Sequence, residues 1–229
     1  MAHSELVESL KGKLIVSVQA YPGEPMRHPE TMAQIARACE LGGAAAIRCQ
    51  GLSDISAIKG RVEIPVIGLW KEGHEGVYIT PTLRHARACI HAGADVVALD
   101  ATDRLRPDGR TFEETVAALR AESDVLIMAD CMTMDDIRRS VAAGCDLVST
   151  TLSHNKAAID TTLDDGPDIA LLQQATTEFP GIAIICEGHV HTPQDAKDAL
   201  DAGAWAVVSG TAITHPTSIT SWFAAALED

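Results

Sequence analysis

No stretch of this chain approaches the ~20 consecutive apolar residues that a bilayer-spanning helix needs. The longest uninterrupted apolar runs are a handful of residues, so no membrane partner is expected. The N-terminus does not pair a basic start with an apolar stretch. Met1 to Leu10 is short, polar and acidic, and a secretory leader is not expected. Positive charge is scarce: 18 Lys and Arg stand against 32 Asp and Glu, a formal net charge of −14. That balance repels phosphate backbones at long range and argues against a nucleic-acid partner. It leaves room for a small anion, because local amides and one or two cations outweigh the global field inside a pocket. No two of the six cysteines (Cys39, Cys49, Cys89, Cys131, Cys145 and Cys186) form a C-x-x-C pair, and most sit inside apolar runs such as Ile182 to Cys186. Buried free thiols in a reducing cytoplasm are expected rather than a disulfide framework or a zinc site. His189-Val-His191 has the spacing of a metal pair. No further His or Cys falls at a neighbouring strand end, so no metal is expected.

What is present is the profile of a globular protein, 46% apolar and 22% charged over 229 residues. At roughly 150 residues per domain that length suits one or two domains, and single α/β barrels reach it as one unit. A repeat organises the chain. Leu41–Arg48, His91–Asp100, Ala142–Thr150 and Asp201–Gly210 all read Gly-small-x-apolar, with Gly43, Gly93, Gly144 and Gly203 spaced 50, 51 and 59 residues apart. Each glycine follows a helix-period stretch and precedes a short β-rich run, as a helix C-cap leading into a buried strand would. Four further strands are expected between them, over Lys13–Gln19, Ile64–Leu69, Val125–Asp130 and Ile182–Glu187. Helices are expected over Pro29–Leu41, Pro81–Ala92, Thr111–Ala121, Thr133–Ala143, Asp168–Glu178 and Pro193–Ala202, with Pro29, Pro81 and Pro193 in first turns. Eight β units alternating with helices predict an α/β fold, a single (β/α)8 TIM-barrel domain spanning residues 1–229. A doubly wound sheet is the alternative, but the first strand lacks a G-x-G-x-x-G turn.

In such a barrel chemistry gathers where the strands end. Those ends read, in order, Gln19, Arg48, Lys71, Asp100, Asp130, Thr150 with Thr151, Glu187 with Gly188, and Gly210 with Thr211. So many charges aimed at one mouth are costly to cluster without a purpose; a ring of structural salt bridges is the blander account. Gly188 and Gly210 let backbone N–H groups approach an anion at the recurrent phosphate position of barrels, or simply permit tight turns. Lys71, in a partly dry mouth, could act as a base or form a Schiff base, or could merely pair with Asp100 or Asp130. Glu187 would face it across the barrel, a pairing suited to removing a proton from one face of a carbon and delivering one to the other. Arg104 and Arg106 either clasp a ligand or bridge on the surface. Trp70 and Trp205 read as core or pocket wall.

Taken together, these motifs resemble those of the N-acetylmannosamine-6-phosphate 2-epimerases. The similar stretches are Gly12–Ala20, Pro65–Gly68 with Lys71, Ile79–Thr82, Asp100–Pro107, Met128–Asp130, Thr150–Leu152, Glu187–Gly188 and Gly210–Thr214, spread from the first strand to the last. The resemblance implies a barrel enzyme, without a redox cofactor, that interconverts N-acetylmannosamine 6-phosphate and N-acetylglucosamine 6-phosphate in sialic acid breakdown. It implies Lys71 and Glu187 as the catalytic pair, and Gln19, Arg48 and Asp130 at the substrate; Thr150, at the sixth strand end, is expected beside them. Gly188, Gly210, Thr211 and His215 would lie at the phosphate, and a homodimer is compatible with it. Three positions depart from the family pattern: His215 stands where arginine is usual, Ser153–Asn155 differs in the loop after strand six, and Val18 replaces a common cysteine. A histidine is only partly charged near neutrality, so weaker phosphate binding at higher pH is expected of His215. Two other readings remain: a Schiff-base aldolase or lyase acting through Lys71, and a sugar-phosphate-binding barrel without catalysis.

Overall fold

A computed structural model of the chain describes residues 3–153, 162 and 165–228. Among them run the strands β1 (Leu14–Val18), β2 (Ala46–Gln50), β3 (Val66–Leu69), β4 (Val96–Asp100), β5 (Leu126–Asp130), β6 (Leu147–Ser149), β7 (Ile184–Glu187) and β8 (Ala206–Ser209). They pair in sequence order, all parallel, and β8 returns to β1 to close a barrel. The α/β barrel expected from the repeat is the fold observed. Its helices are α1 (His3–Ser9), α2 (Pro29–Leu41), α3 (Leu52–Lys59), α4 (Leu83–His91), α5 (Phe112–Glu122), α6 (Met134–Ala142), α7 (Ile169–Glu178), α8 (Pro193–Asp201), α9 (Thr211–Thr214) and α10 (Pro216–Ala225). All six cysteines are free thiols, five of them buried and Cys39 half-buried.

The four repeat glycines do one job. Gly43, Gly93, Gly144 and Gly203 have φ between 78° and 106°, a conformation that costs an L-residue with a side chain roughly 1–2 kcal/mol. Each sits one residue past the helix cap. Its N–H donates three residues back, and the next N–H donates five back, as in Gly144 to Val141 (3.1 Å) and Cys145 to Ser140 (3.1 Å). That bond pair is a Schellman motif, which uses otherwise orphaned helix carbonyls and turns the chain directly into the following strand. Helix starts are as well specified. Thr111 with Glu114, Thr133 with Asp136, and Thr192 with Asp195 form reciprocal capping boxes at α5, α6 and α8.

The fourth helix departs from expectation. Pro81 lies outside it, Thr82 is the cap, and α4 begins at Leu83. After β3 the chain makes an excursion that returns beside itself: Lys71 bridges Ile79, Thr80 N–H donates to the Trp70 carbonyl (2.9 Å), and Trp70 N–H donates to Thr80 Oγ1 (3.2 Å). Proline is the exit from that excursion rather than the first helical turn.

Side chains alternate along each strand between the barrel interior and the helix layer. Ile15, Ala46, Ile67, Leu69, Val96, Ala98, Leu126, Met128, Leu147, Ile185, Ala206 and Val208 fill the interior. Leu6 and Leu10, on and just after α1, join this inner cluster at the N-terminal ends of the strands. The indole N–H of Trp205 donates to the Val7 carbonyl (2.9 Å), and Gly12 N–H donates to the Trp205 carbonyl (2.7 Å). The lower end of the barrel is thereby stoppered by α1.

Candidate active site

The same alternation places the functional groups. Two residues beyond an apolar interior side chain, the next inward position at the C-terminal end is polar: Arg48 beyond Ala46, Lys71 beyond Leu69, Asp100 beyond Ala98, Asp130 beyond Met128, Ser149 beyond Leu147, and Glu187 beyond Ile185. The polar mouth is built directly on the apolar plug of the barrel.

Arg48 is its centre. The guanidinium is 1% exposed, donates from Nη2 to Asp130 Oδ2 at 2.7 Å, and holds Nε 3.0 Å from Glu187 Oε1. Burial works against its charge, and Asp130 and Glu187 more than offset that, so its pKa is raised. Thr151 Oγ1 donates to Asp130 Oδ1 (2.8 Å), and Ser149 Oγ lies 2.7 Å from Thr151 Oγ1 and 3.5 Å from Glu187 Oε2. Arginine, two carboxylates and two hydroxyls therefore form one buried network. Burial pushes the Glu187 carboxyl up and Arg48 opposes that, leaving it raised.

Lys71 stands across from this network, on the excursion after β3, with β7 diametrically opposite in the eight-stranded ring. Among the described residues no carboxylate oxygen lies within 4 Å of Lys71 Nζ. Asp130 is held by Arg48, and Asp100 by Arg104 at 2.6 Å. The lysine is thus outside the salt-bridge ring, while Arg104 belongs to it. Burial, then the positive charge of Arg48, pull the Lys71 ammonium down to about 8. Arg106 is buried beneath the mouth, close to the Phe112 ring, and donates to the Asp100 carbonyl; it braces the β4 end and does not face the mouth.

The other expected residues fall into two groups. Gln19 is inward and half-buried, with Nε2 donating to Ser17 Oγ (2.8 Å) and Oε1 buried without a partner, so it has an acceptor to offer. Gly188 takes φ 104°, and a Cβ on Gly210 would lie 3.0 Å from Ser17 Cβ, so the β8 turn needs glycine to pass β1. Thr211 opens α9 beside it, and the leading amides of a helix point out of its end. Thr150 and His215 are placed elsewhere. The Thr150 hydroxyl is fully buried, donating to the Glu187 carbonyl (2.9 Å) and accepting from the Glu187 N–H (3.1 Å), so it anchors the backbone that carries the carboxylate. Its neighbours Ser149 and Thr151 take the inward parity instead. His215 is 4% exposed, with Nδ1 2.7 Å from Ser218 Oγ and Nε2 3.3 Å from Glu24 Oε1; both nitrogens face protein groups. Of the Ser153–Asn155 segment, His154 and Asn155 lie outside the described residues.

Tyr21 and Tyr78 escaped the sequence reading. They are the chain's only tyrosines, both half-buried and near the mouth; each hydroxyl's pKa is raised by burial, and each feels the other group or its neighbours there. The scarcity of tyrosine was the available signal. No group of three or more His, Cys, Asp or Glu among the described residues is arranged to hold a metal ion, and no helix among them is long and apolar enough to cross a membrane.

Comparison with known proteins points the same way. A family model described as "Putative N-acetylmannosamine-6-phosphate epimerase" matches residues 32–229. Proteins named "Putative N-acetylmannosamine-6-phosphate 2-epimerase" include one from Cutibacterium acnes, 56% identical over 97% of this chain and 96% of its own. Another, from Corynebacterium glutamicum strain R, is 47% identical over 98% and 97%. The solved structure of the N-acetylmannosamine-6-phosphate 2-epimerase from Clostridium perfringens is 37% identical, with a TM-score of 0.89 over 99% of this chain and 98% of that one. A thiamine phosphate pyrophosphorylase from Pyrococcus furiosus, 14% identical with a TM-score of 0.61 over 97% and 98%, is alike in fold alone. With the family model covering most of the chain and relatives well above 30% identity, the chain belongs to the N-acetylmannosamine-6-phosphate epimerase family.

Proposed function

We propose that the protein interconverts N-acetylmannosamine 6-phosphate and N-acetylglucosamine 6-phosphate by moving the C2 proton, as a step of amino-sugar breakdown in the cytoplasm. The chain would act as one barrel domain without a redox cofactor. The observation that carries this reading is the opposition of Lys71 and Glu187, a lysine brought down to about 8 facing a carboxyl raised by burial. Their pKa values are pushed toward each other, which suits both to proton transfer near neutrality.

In the open-chain sugar the C2 proton is acidic because the resulting carbanion delocalises into the C1 carbonyl. One of Lys71 and Glu187 takes that proton from one face, and the electron pair moves onto the C1 oxygen as an enolate that keeps the acetamido group on C2. The other group delivers a proton to the opposite face of C2, the carbonyl re-forms, and the configuration is inverted. Arg48, with Asp130 holding it, stabilises the enolate oxygen on C1, a role worth roughly 3–4 kcal/mol per donor. Gln19 supplies its open amide oxygen to the substrate. Gly188, Gly210 and Thr211 form the cup for the phosphate, where bare backbone and helix amides suit an anion. His215, buried behind the cup beside Tyr21, would act on the phosphate through its neighbours.

The test is NMR of the purified protein with N-acetylmannosamine 6-phosphate in D₂O. The reading requires the glucosamine epimer to appear with deuterium at C2. Unchanged substrate overturns it and leaves a binding barrel. A neutral Lys71 would also suit imine chemistry, so borohydride with substrate is the companion experiment: a trapped adduct on Lys71 would replace epimerisation by a Schiff-base route. The protein would work as a homodimer, because α10 buries none of its residues and exposes Phe223 (72%), with Leu227 (88%) exposed just past its end. Sedimentation at the mass of one chain would exclude that.

A further inference from the structure

Tyr21 touches both halves of the site. It lies in the loop between β1 and α2, a Tyr-Pro-Gly sequence that reads as a surface turn, yet its side chain is turned inward and half-buried. The ring centroid is 5.8 Å from Lys71 Nζ, within the range at which an aromatic face attracts an ammonium. The hydroxyl lies close enough to the side chain of Thr211, the first residue of α9 at the cup, to feel it electrostatically. The ring's position is itself clamped. It meets the His215 imidazole edge-on, with centroids 5.1 Å apart and planes at 81°. His215 is held in turn by Ser218 (2.7 Å) and Glu24 (3.3 Å), and Thr217 Oγ1 donates to Glu24 Oε2 (2.8 Å).

We propose that Tyr21 is a positioning residue that sets the spacing between the proton-transfer group and the phosphate cup, its ring face steadying the Lys71 ammonium and its hydroxyl ordering Thr211. The inference rests on the epimerase reading for the identity of the ligand, but the two contacts exist without substrate. Four groups face Lys71: Arg48 from β2, which disfavours its charge, Glu187 from β7 and Asp130 from β5, which favour it from beyond ion-pair distance, and the Tyr21 ring from the β1–α2 loop. With no carboxylate among the described residues in contact, the ring is the one of these groups that attracts the ammonium and cannot take its proton. That leaves the lysine ordered yet free to react.

The two contacts can be removed separately. Tyr21→Phe keeps the ring and deletes the hydroxyl. Tyr21→Leu deletes the ring face while keeping apolar bulk, so that water does not simply replace it. The first readout is the NMR titration of the Lys71 ε-methylene in ligand-free protein. The midpoint in Tyr21→Phe should match wild type, and that in Tyr21→Leu should fall by about half a pH unit, the size of a modest cation–π interaction. The second readout is affinity for inorganic phosphate and KM for the sugar phosphate. Tyr21→Phe should weaken both by about 2- to 10-fold, as loss of one neutral hydrogen bond does, with kcat nearly unchanged. Tyr21→Leu should lower kcat as well. Identical Lys71 midpoints in all three proteins, or unaltered phosphate binding in Tyr21→Phe, would overturn the assignment. Because the lysine titration and phosphate binding need no turnover, they still decide the role of Tyr21 if the wild-type protein fails to epimerise. Tyr21→Phe should fold normally, so an unstable Tyr21→Leu leaves the phosphate arm decisive.

Discussion

Arg48 and Glu187 form an ion pair across the barrel, Nε to Oε1 at 3.0 Å, and that pairing leaves Lys71 without a carboxylate in contact among the described residues. A direct Lys71–Glu187 bridge would hold the proton between the two groups and make each the other's counter-ion. Here the arginine absorbs the carboxylate's charge, the lysine is destabilised by the same arginine, and both groups are left to exchange protons with a ligand.

Loss of either proton-transfer group should silence the enzyme without unfolding it. Lys71→Ala and Glu187→Gln should each lower turnover by at least about 10²–10⁴-fold in the D₂O assay. Far-UV circular dichroism should match wild type, and near-native turnover in a folded Lys71→Ala would end the catalytic assignment.

The pH profile should report how many protons the pair holds. In the proposed mechanism epimerisation needs one proton between Lys71 and Glu187, and each turnover would move it from one to the other. Above about 8 the lysine loses its proton, so kcat/KM should fall with a midpoint near 8. The alkaline limb should be the same in both directions, because the two singly protonated forms differ only in where the proton sits. Initial rates from each epimer over pH 6–10 check this.

Stability should rise with pH where Lys71 titrates. Its folded pKa of about 8 lies below the ordinary 10.5, so between those values the unfolded chain holds a proton that the folded chain does not. By linkage the cost of the buried ammonium is full below pH 8 and is relieved as pH climbs toward 10.5. Wild type should therefore gain on Lys71→Met across that window in urea midpoints. A constant difference from pH 7.5 to 10.5 would contradict the burial of the charge.

Arg48→Leu should be the most damaging single change in the mouth. It strands Asp130 and Glu187 as two buried carboxylates, and breaking such a pair costs about 3–5 kcal/mol. Adding Asp130→Asn should restore part of that loss, a non-additivity that urea denaturation of the four proteins in the cycle would measure.

Glycine substitutions should separate conformation from space. Gly144→Ala meets open space but a φ of 78°, and should cost about 1–2 kcal/mol. Gly68→Ala has ordinary backbone but puts Cβ 2.7 Å from Ala94 Cβ and 2.8 Å from Ile55 Cδ1, and should cost about 1–3 kcal/mol through overpacking. Thermal melts of both variants check the two values.

The barrel was legible because its repeat marks a backbone event. A glycine at the helix exit followed by a buried apolar run can be read wherever it recurs, and the inward parity of Arg48, Asp130 and Glu187 follows from alternation once a strand is placed. What escaped depends on partners far along the chain. The seven residues of α1 carry too few apolar positions to show a period, and their burial depends on Trp205, nearly the whole chain away. Thr150 looks like a site residue until the strand's parity is known, which turns it outward and its neighbours in. Tyr21 opens an apparent surface turn, and only the placement of Lys71, Thr211 and His215 reveals which way its ring points.

The stopper formed by α1 has a consequence for traffic. With Leu6 and Leu10 packed beneath an already filled interior, the described residues offer the site no lower approach, so product would leave by the polar mouth through which substrate entered. Each epimer therefore competes with the other for the same mouth, so product inhibition should be competitive. A reversible enzyme of this shape responds to the ratio of its two sugars rather than to either concentration alone.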